Sequence, residues 1–304
     1  MKKERNLKHL DKSILKLKTI KYVLPAEEVD MGGFPVKQPL PTQKIQQISP
    51  FLLLHHAHAK YSSRRPAKQQ GIGPHPHRGF SPVTFIIEGE VHHRDSRGNN
   101  QIAKTGEVQW MHAGAGIVHS ERPSEALVGK SGRMEIVQLW VNSPKEKKMI
   151  PPEYQYLPEK DIPIEYSEDG KIANKIIAGN YKNLQSAINT QSDLLILWGK
   201  AEKGGGQTIE IPTEFNSMLY LINGNMSIEG YGIIEKEYLA VFNEGGNSIK
   251  MTFNEDAQFL LLSGKSIEGK VAQQGPFVMN TQTEILEAMR DYKMGKMGVL
   301  IEDD

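Results

Sequence analysis

The stretch Pro74-His75-Pro76-His77-Arg78-Gly79-Phe80 is followed some forty residues later by Gly116-Ile117-Val118-His119-Ser120-Glu121. Each segment carries two residues able to hold a metal at spacing i, i+2, and a β-strand turns i and i+2 to the same face. If two such strands lie side by side, His75, His77, His119 and Glu121 converge. The pair of segments therefore points to a mononuclear metal site inside a small β-barrel. Pro76 has no N–H to give to a ladder, which places the first segment at an edge or strand end, open to a ligand.

Three imidazoles and one carboxylate form a borderline-to-hard donor set suited to Fe(II), Mn, Ni, Co, Cu or Zn. On an octahedral ion four protein ligands leave two positions for water, dioxygen or a bidentate substrate. A closed structural zinc site usually takes thiolates, so the site reads as reactive. The plainer reading of each histidine is a hydrogen-bonded core or surface residue. His56-Ala57-His58 is a rival HxH pair, but no second His/Glu pair can be assigned to it, and together with His55 it reads as polar lining or surface. His112, just before the Gly114-Ala115-Gly116 turn, has two readings: a base facing the substrate beside the ligands, or polar packing against the turn.

Composition narrows the alternatives. The chain has 304 residues, 38% hydrophobic and 24% charged, with 28 Gly and 17 Pro, enough for two domains rich in turns. Lys+Arg 37 against Asp+Glu 36 leaves a net charge of +1, so no basic field favours direct nucleic-acid binding. The absence of cysteine excludes disulfides, thiolate zinc, iron–sulfur clusters and a Cys nucleophile. Met1 to Lys21 is basic but holds no unbroken apolar run for a signal or membrane span. The expected compartment is the cytoplasm, with the nucleus open if the source is eukaryotic.

The chain reads as short strands separated by Gly and Pro turns. Ile14 to Val23 alternates as an edge strand guarded by lysines. Asp95 to Asn100 is a hairpin tip. Asn142 to Pro163 shifts to Lys, Glu and Pro as a linker would. Beyond it the chain repeats itself: Phe85-Ile86-Ile87-Glu88-Gly89-Glu90-Val91 aligns with Tyr220-Leu221-Ile222-Asn223-Gly224-Asn225-Met226, and Trp110 to Ile117 with Phe242 to Ile249. In this alignment Glu210 and Pro212 stand where the first copy has His75 and His77, and Met251 and Phe253 replace His119 and Glu121. All ten histidines lie at or before residue 119, so one metal per chain is expected. Thr281-x-x-Glu284 is a capping box, and Ile285, Met289 and Tyr292 form a docking stripe, predicting a C-terminal helix over about 281–294.

HPHRGF (75–80), FIIEGEV (85–91), GEVQWMHAGAGIVHSERP (106–123), VQLWVN (137–142) and GPFVMNTQTEILEAMRDYKMGKMG (275–298) resemble the pirin family of bicupins, from about Val29 to Gly298. The resemblance implies an all-β fold of two tandem cupin barrels, each a double-stranded β-helix or jelly roll: residues 1–145 binding metal, and 146–304 without ligands and ending in the helix. It implies His75, His77, His119 and Glu121 as ligands of one divalent ion, Fe(II) first, with Ni, Cu, Mn, Co or Zn as alternatives. Ser81-Pro82 departs from the family pattern where a further glutamate ligand is common, so a five-ligand site is not expected. The implied activity is that of a quercetin 2,3-dioxygenase acting on a flavonol and dioxygen, with Glu121 as ligand and base. The alternative is an iron-dependent, redox-sensing regulatory protein that binds a protein partner without turnover. A monomer is expected.

Overall fold

The computed structural model describes residues 15–31 and 33–302. The first half of the chain contains β1 (Ile20–Pro25), β2 (Glu27–Asp30), β3 (Pro35–Leu40), β4 (Phe51–Lys60), β5 (Ile72–His77), β6 (Phe80–Glu88), β7 (Glu90–Asp95), β8 (Asn100–Lys104), β9 (Val108–His112), β10 (Ile117–Arg122), the short helix α1 (Glu125–Gly129), β11 (Arg133–Asn142) and β12 (Glu153–Leu157). The second half contains β13 (Ile164–Tyr166), β14 (Ile172–Ala178), β15 (Asn180–Tyr181), β16 (Leu184–Gln185), β17 (Leu194–Ala201), β18 (Gly206–Glu210), β19 (Phe215–Asn223), β20 (Asn225–Ile228), β21 (Gly232–Glu235), β22 (Tyr238–Phe242), β23 (Ser248–Phe253), β24 (Ala257–Lys265), β25 (Ala272–Gln274), β26 (Phe277–Met279) and the helix α2 (Gln282–Lys293).

Two barrels result, each a seven-stranded sheet facing a four-stranded one. The first joins β12-β9-β6-β11-β4-β3-β2 with β5-β10-β7-β8, and the second joins β1-β22-β19-β24-β17-β14-β13 with β18-β23-β20-β21. The repeat seen in sequence is structural. β6 ends at Glu88 and β7 starts at Glu90, just as β19 ends at Asn223 and β20 starts at Asn225. Between them Gly89 and Gly224 have φ of +86° and +82°, and a Cβ there would meet the Arg133 carbonyl at 2.3 Å or the Asp256 carbonyl at 2.4 Å. Only glycine fits such a bend. Gly89→Ala and Gly224→Ala should each lower stability by about 2–4 kcal/mol, from left-handed strain plus the clash. Urea unfolding midpoints close to that of the unsubstituted protein would refute this.

The large sheets pack on each other. Val83 and Phe85 of β6 and Val137 and Leu139 of β11 share one apolar cluster with Trp198, Tyr220 and Leu260 of the second barrel. The alternate residues point the other way, and Ile86 and Ile136 fill the first barrel. Both faces of β6 are thus covered, which is why it reads as an almost continuous apolar run.

Sheet membership crosses the expected 145/146 division at three places. β1 pairs with β22 of the second barrel, and β12, inside the expected linker, pairs with β9 of the first. β26 and α2 pack on Val118 of the first barrel through Phe277, Met279, Ile285 and Ala288. Helix α2 has the expected capping box at Thr281 and Glu284.

The second barrel corrects one detail of the sequence alignment. Ile117 pairs with His77 and His119 with His75, while Ile249 pairs with Ile209 and Met251 with Gln207. Gln207 and Ile209, rather than Glu210 and Pro212, therefore occupy the positions of the HPH pair, because ladder register decides equivalence. Ile209, Met251 and Phe253 lie in an apolar core.

Candidate metal centre

Antiparallel pairing of β5 with β10 sets His119 directly opposite His75. His77 lies two residues along β5 on the same face. The imidazole nitrogens of His75, His77 and His119 come within 4.8 Å of one another. His77 and His119 are buried and His75 is half-buried. Burial first, then the neighbouring imidazoles, holds His77 and His119 well below the ordinary histidine range, so both are neutral near pH 7 and offer a lone pair.

The partners of these rings decide which nitrogen carries that lone pair. His75 Nδ1 lies 2.9 Å from the Gly73 carbonyl and His77 Nδ1 lies 3.4 Å from the Pro276 carbonyl. A carbonyl only accepts, so both rings donate from Nδ1 and keep Nε2 bare. His119 is set through two steps. Asp95 Oδ2 accepts from His93 Nε2 at 3.0 Å, leaving His93 Nδ1 to accept from His119 Nδ1 at 3.4 Å. His119 Nε2 is then bare as well, and it is a buried polar atom with no hydrogen-bond partner. A buried nitrogen without a partner costs about 1–3 kcal/mol. Three grouped imidazoles, with the orphaned His119 Nε2 among their nitrogens, fit a bound divalent ion.

Burial alone would push the Asp95 carboxyl up, but hydrogen bonds from His93, Asn99 and the Arg97 amide outweigh it and hold the group below its usual range. Tyr154 stacks on His93 with ring centroids 4.2 Å apart. Asp95→Asn places an amide donor against His93 and can reverse the relay, putting a proton on His119 Nε2. Affinity for Zn2+ should fall about 10–100-fold. Unchanged affinity by calorimetry would refute the relay.

Glu121 is buried on the same face of β10 but stands outside the group of three imidazoles. Its Oε1 accepts from Thr84 Oγ1 at 3.0 Å and its Oε2 from Gln138 Nε2 at 2.8 Å. Thr84 and Gln138 come from the facing sheet, so the carboxylate is held across the barrel. Phe80 and Trp140 pack 4.3 Å apart and both lie edge-on to His77, giving one aromatic wall.

His112 is placed elsewhere. It shares the β9 face of Val108 and Trp110, which belong to the core between the barrels. Its Nδ1 is 2.6 Å from Ser81 Oγ, and Ser81 is likewise out of phase with Thr84. Strand alternation thus turns His112 and Ser81 away from the three imidazoles, and the packing reading is the one its position supports. Burial holds its pKa down at about 4.

Sequence reasoning did not find His93, Asp95, Thr84 or Gln138. His93-x-Asp95 carried a signal in its i, i+2 spacing on the strand next to His119. The other two are single polar residues within apolar runs.

Comparison with known proteins bears on the family and the fold. The family model for Pirin matches residues 33–141 and that for the Pirin C-terminal cupin domain matches residues 183–298. The chain is 33% identical over 283 residues to Pirin of Homo sapiens, covering 91% of this chain and 92% of that protein. It is 34% identical over 282 residues to a pirin-like protein of Solanum lycopersicum, covering 92% of each. A solved structure of a quercetin 2,3-dioxygenase from Acinetobacter baumannii superposes with a TM-score of 0.87 at 36% identity, covering 94% of this chain and all of that one. Two tandem cupin barrels, with every described histidine in the first of them, and these matches over both halves establish that the chain belongs to the pirin family of bicupins.

Proposed function

We propose that the chain is a metal-dependent dioxygenase of the quercetin 2,3-dioxygenase type, cleaving a flavonol with dioxygen and releasing carbon monoxide. The observation that carries it is the grouping of three imidazoles in a barrel that also holds the anchored Glu121 carboxylate and an aromatic wall. The A. baumannii likeness supports the same reading. His75, His77 and His119 would hold one divalent ion, Fe(II) first and Ni, Cu, Mn, Co or Zn as alternatives, with Glu121 as fourth ligand. The bound ion would supply a Lewis-acid and redox centre that brings substrate and dioxygen together.

The rest of the work falls to the protein. Trp140, half-buried and backed by the fully buried Phe80, gives a flat substrate a surface to lie against. Glu121 is placed to take the proton of a flavonol hydroxyl, and Thr84 and Gln138 keep its oxygens aimed. The buried setting excludes bulk water from the site. Protein loaded separately with Fe(II), Ni, Cu and Mn should bleach the quercetin absorbance under oxygen. No turnover with any of them would end this reading.

One observation favours the regulatory alternative. The Pro276 carbonyl bonds to His77, and the neighbouring Arg78 pairs with Asp291 of α2 at 3.1 Å, so the metal-side strand is tied to the C-terminal helix. An iron-dependent change at the ligands would reach that helix and a protein partner docked there. A partner that binds Fe(II) and Fe(III) protein equally would count against it. No helix among the described residues is long and apolar enough to cross a membrane, and a cytoplasmic monomer remains the expectation.

A further inference from the structure

Two histidines not absorbed by the barrel centre, His56 and His58, come together beside the seam between the barrels. His56 and His58 lie on one face of β4, and β11 places Glu135 opposite His58 and Val137 opposite His56. One donor atom from each of His56, His58 and Glu135 comes within 4.8 Å of the others. Glu135 Oε1 is 2.9 Å from His56 Nε2, while Oε2 stands 3.9 Å from His58 Nδ1. The first contact is a hydrogen bond that His56 donates to Glu135, which a bound ion would replace. The second exceeds a hydrogen bond, and a modest shortening of it would reach the span of about 3.3 Å between tetrahedral donors on bonds of about 2.0 Å.

Access and charge agree with the geometry. The side chain of His56 is 1% exposed, but that of His58 is 53% exposed, so an ion and its water can enter from one side. Lys37, the nearby cation, is paired with Glu28 and Glu237.

We propose that His56, His58 and Glu135 form a second site for a divalent transition metal of the Zn2+, Ni2+ or Co2+ class, with water completing its shell. Two imidazoles and one carboxylate are a recurrent donor set for such ions. His56 Nδ1 is 2.9 Å from the Tyr220 hydroxyl of the second barrel. On binding, His56 changes tautomer: the proton leaves Nε2, one is taken up on Nδ1, and Tyr220 turns from donor to acceptor. No net proton is released. The ion therefore sits one hydrogen bond from the second barrel and strengthens the seam.

The site is independent of the barrel centre and of the proposed activity. Its test uses untagged full-length protein, stripped with chelator, titrated with Zn2+ by calorimetry and counted by elemental analysis. Two equivalents are expected for the unsubstituted protein. His58→Ala and Glu135→Gln should each leave one, His119→Ala should leave the other, and the His58→Ala/His119→Ala double variant none. His58 is half exposed, so its truncation should leave the metal-free unfolding temperature unchanged. Zn2+ should raise the unfolding temperature of His119→Ala but not of the double variant. A single equivalent in the unsubstituted protein, abolished by His119→Ala, overturns the proposal. So does a second equivalent that survives Glu135→Gln, which would be adsorption on surface histidines.

Discussion

His119→Ala should reduce the affinity of the barrel centre for Zn2+ or Fe(II) by more than about 100-fold, the upper end of what loss of a mere outer partner costs. The ring lies 4.3 Å from His75 and 5.0 Å from His77, centroid to centroid, so its removal opens the middle of the donor set. Metal-free stability should change far less. Truncation leaves a small cavity and frees His93 Nδ1, but it also removes the orphaned Nε2, and terms of about 1–3 kcal/mol act in opposite directions. Unfolding of the stripped protein should therefore be similar in both, whereas the rise in unfolding temperature produced by a barrel-bound metal should vanish. Equal metal-induced stabilisation in the two proteins would show that these imidazoles do not bind the ion.

Lys148→Met should destabilise the fold by about 2–4 kcal/mol, since each abandoned acceptor costs about 1–3 kcal/mol and relief of a buried charge returns part of the total. Lys148 is 1% exposed, and its Nζ donates to the Gly79 carbonyl at 2.7 Å, to Asn142 Oδ1 at 2.6 Å and to the Val278 carbonyl at 3.0 Å. It joins the turn after the HPH segment to β26, and methionine can satisfy none of the three acceptors. The pH dependence has a definite sign. Burial holds the Lys148 ammonium down at about 8, below 10.5. Between these values the unfolded chain binds the additional proton, so the stability of the unsubstituted protein rises with pH relative to Lys148→Met. Urea unfolding of both proteins at pH 7.5 and pH 10 measures this, and a constant difference would show that Lys148 titrates alike in both states.

What was legible in the sequence had local causes. The HPH and HSE pairs stand out because strand alternation is short-range, and one ladder then brings the three imidazoles together. Gly89 and Gly224 betray the repeat because each occupies a bend that excludes a Cβ, and Thr281 with Glu284 marks a helix start within four residues. What was hidden depended on register between distant strands. Gln207 and Ile209 could be matched to His75 and His77 only through their ladder with β23. Glu135 became a partner of His56 and His58 only because β11 lies beside β4. His112 looked like a neighbour of the ligands in sequence, yet the alternation of β9 put it on the other face.

The crossing of the halves also bears on how the chain is made. β1 finds its partner β22 only after more than two hundred further residues have emerged, which takes tens of seconds at a synthesis rate of about 5–20 residues per second. The Pro276 carbonyl that orients His77 and the Val278 carbonyl that receives Lys148 come later still. On the ribosome, the half that carries the three grouped imidazoles is thus translated first and finished last. The surroundings of His77 and Lys148 are complete only when the C-terminal segment has reached them, so the last-made part of the chain finishes the packing of the first.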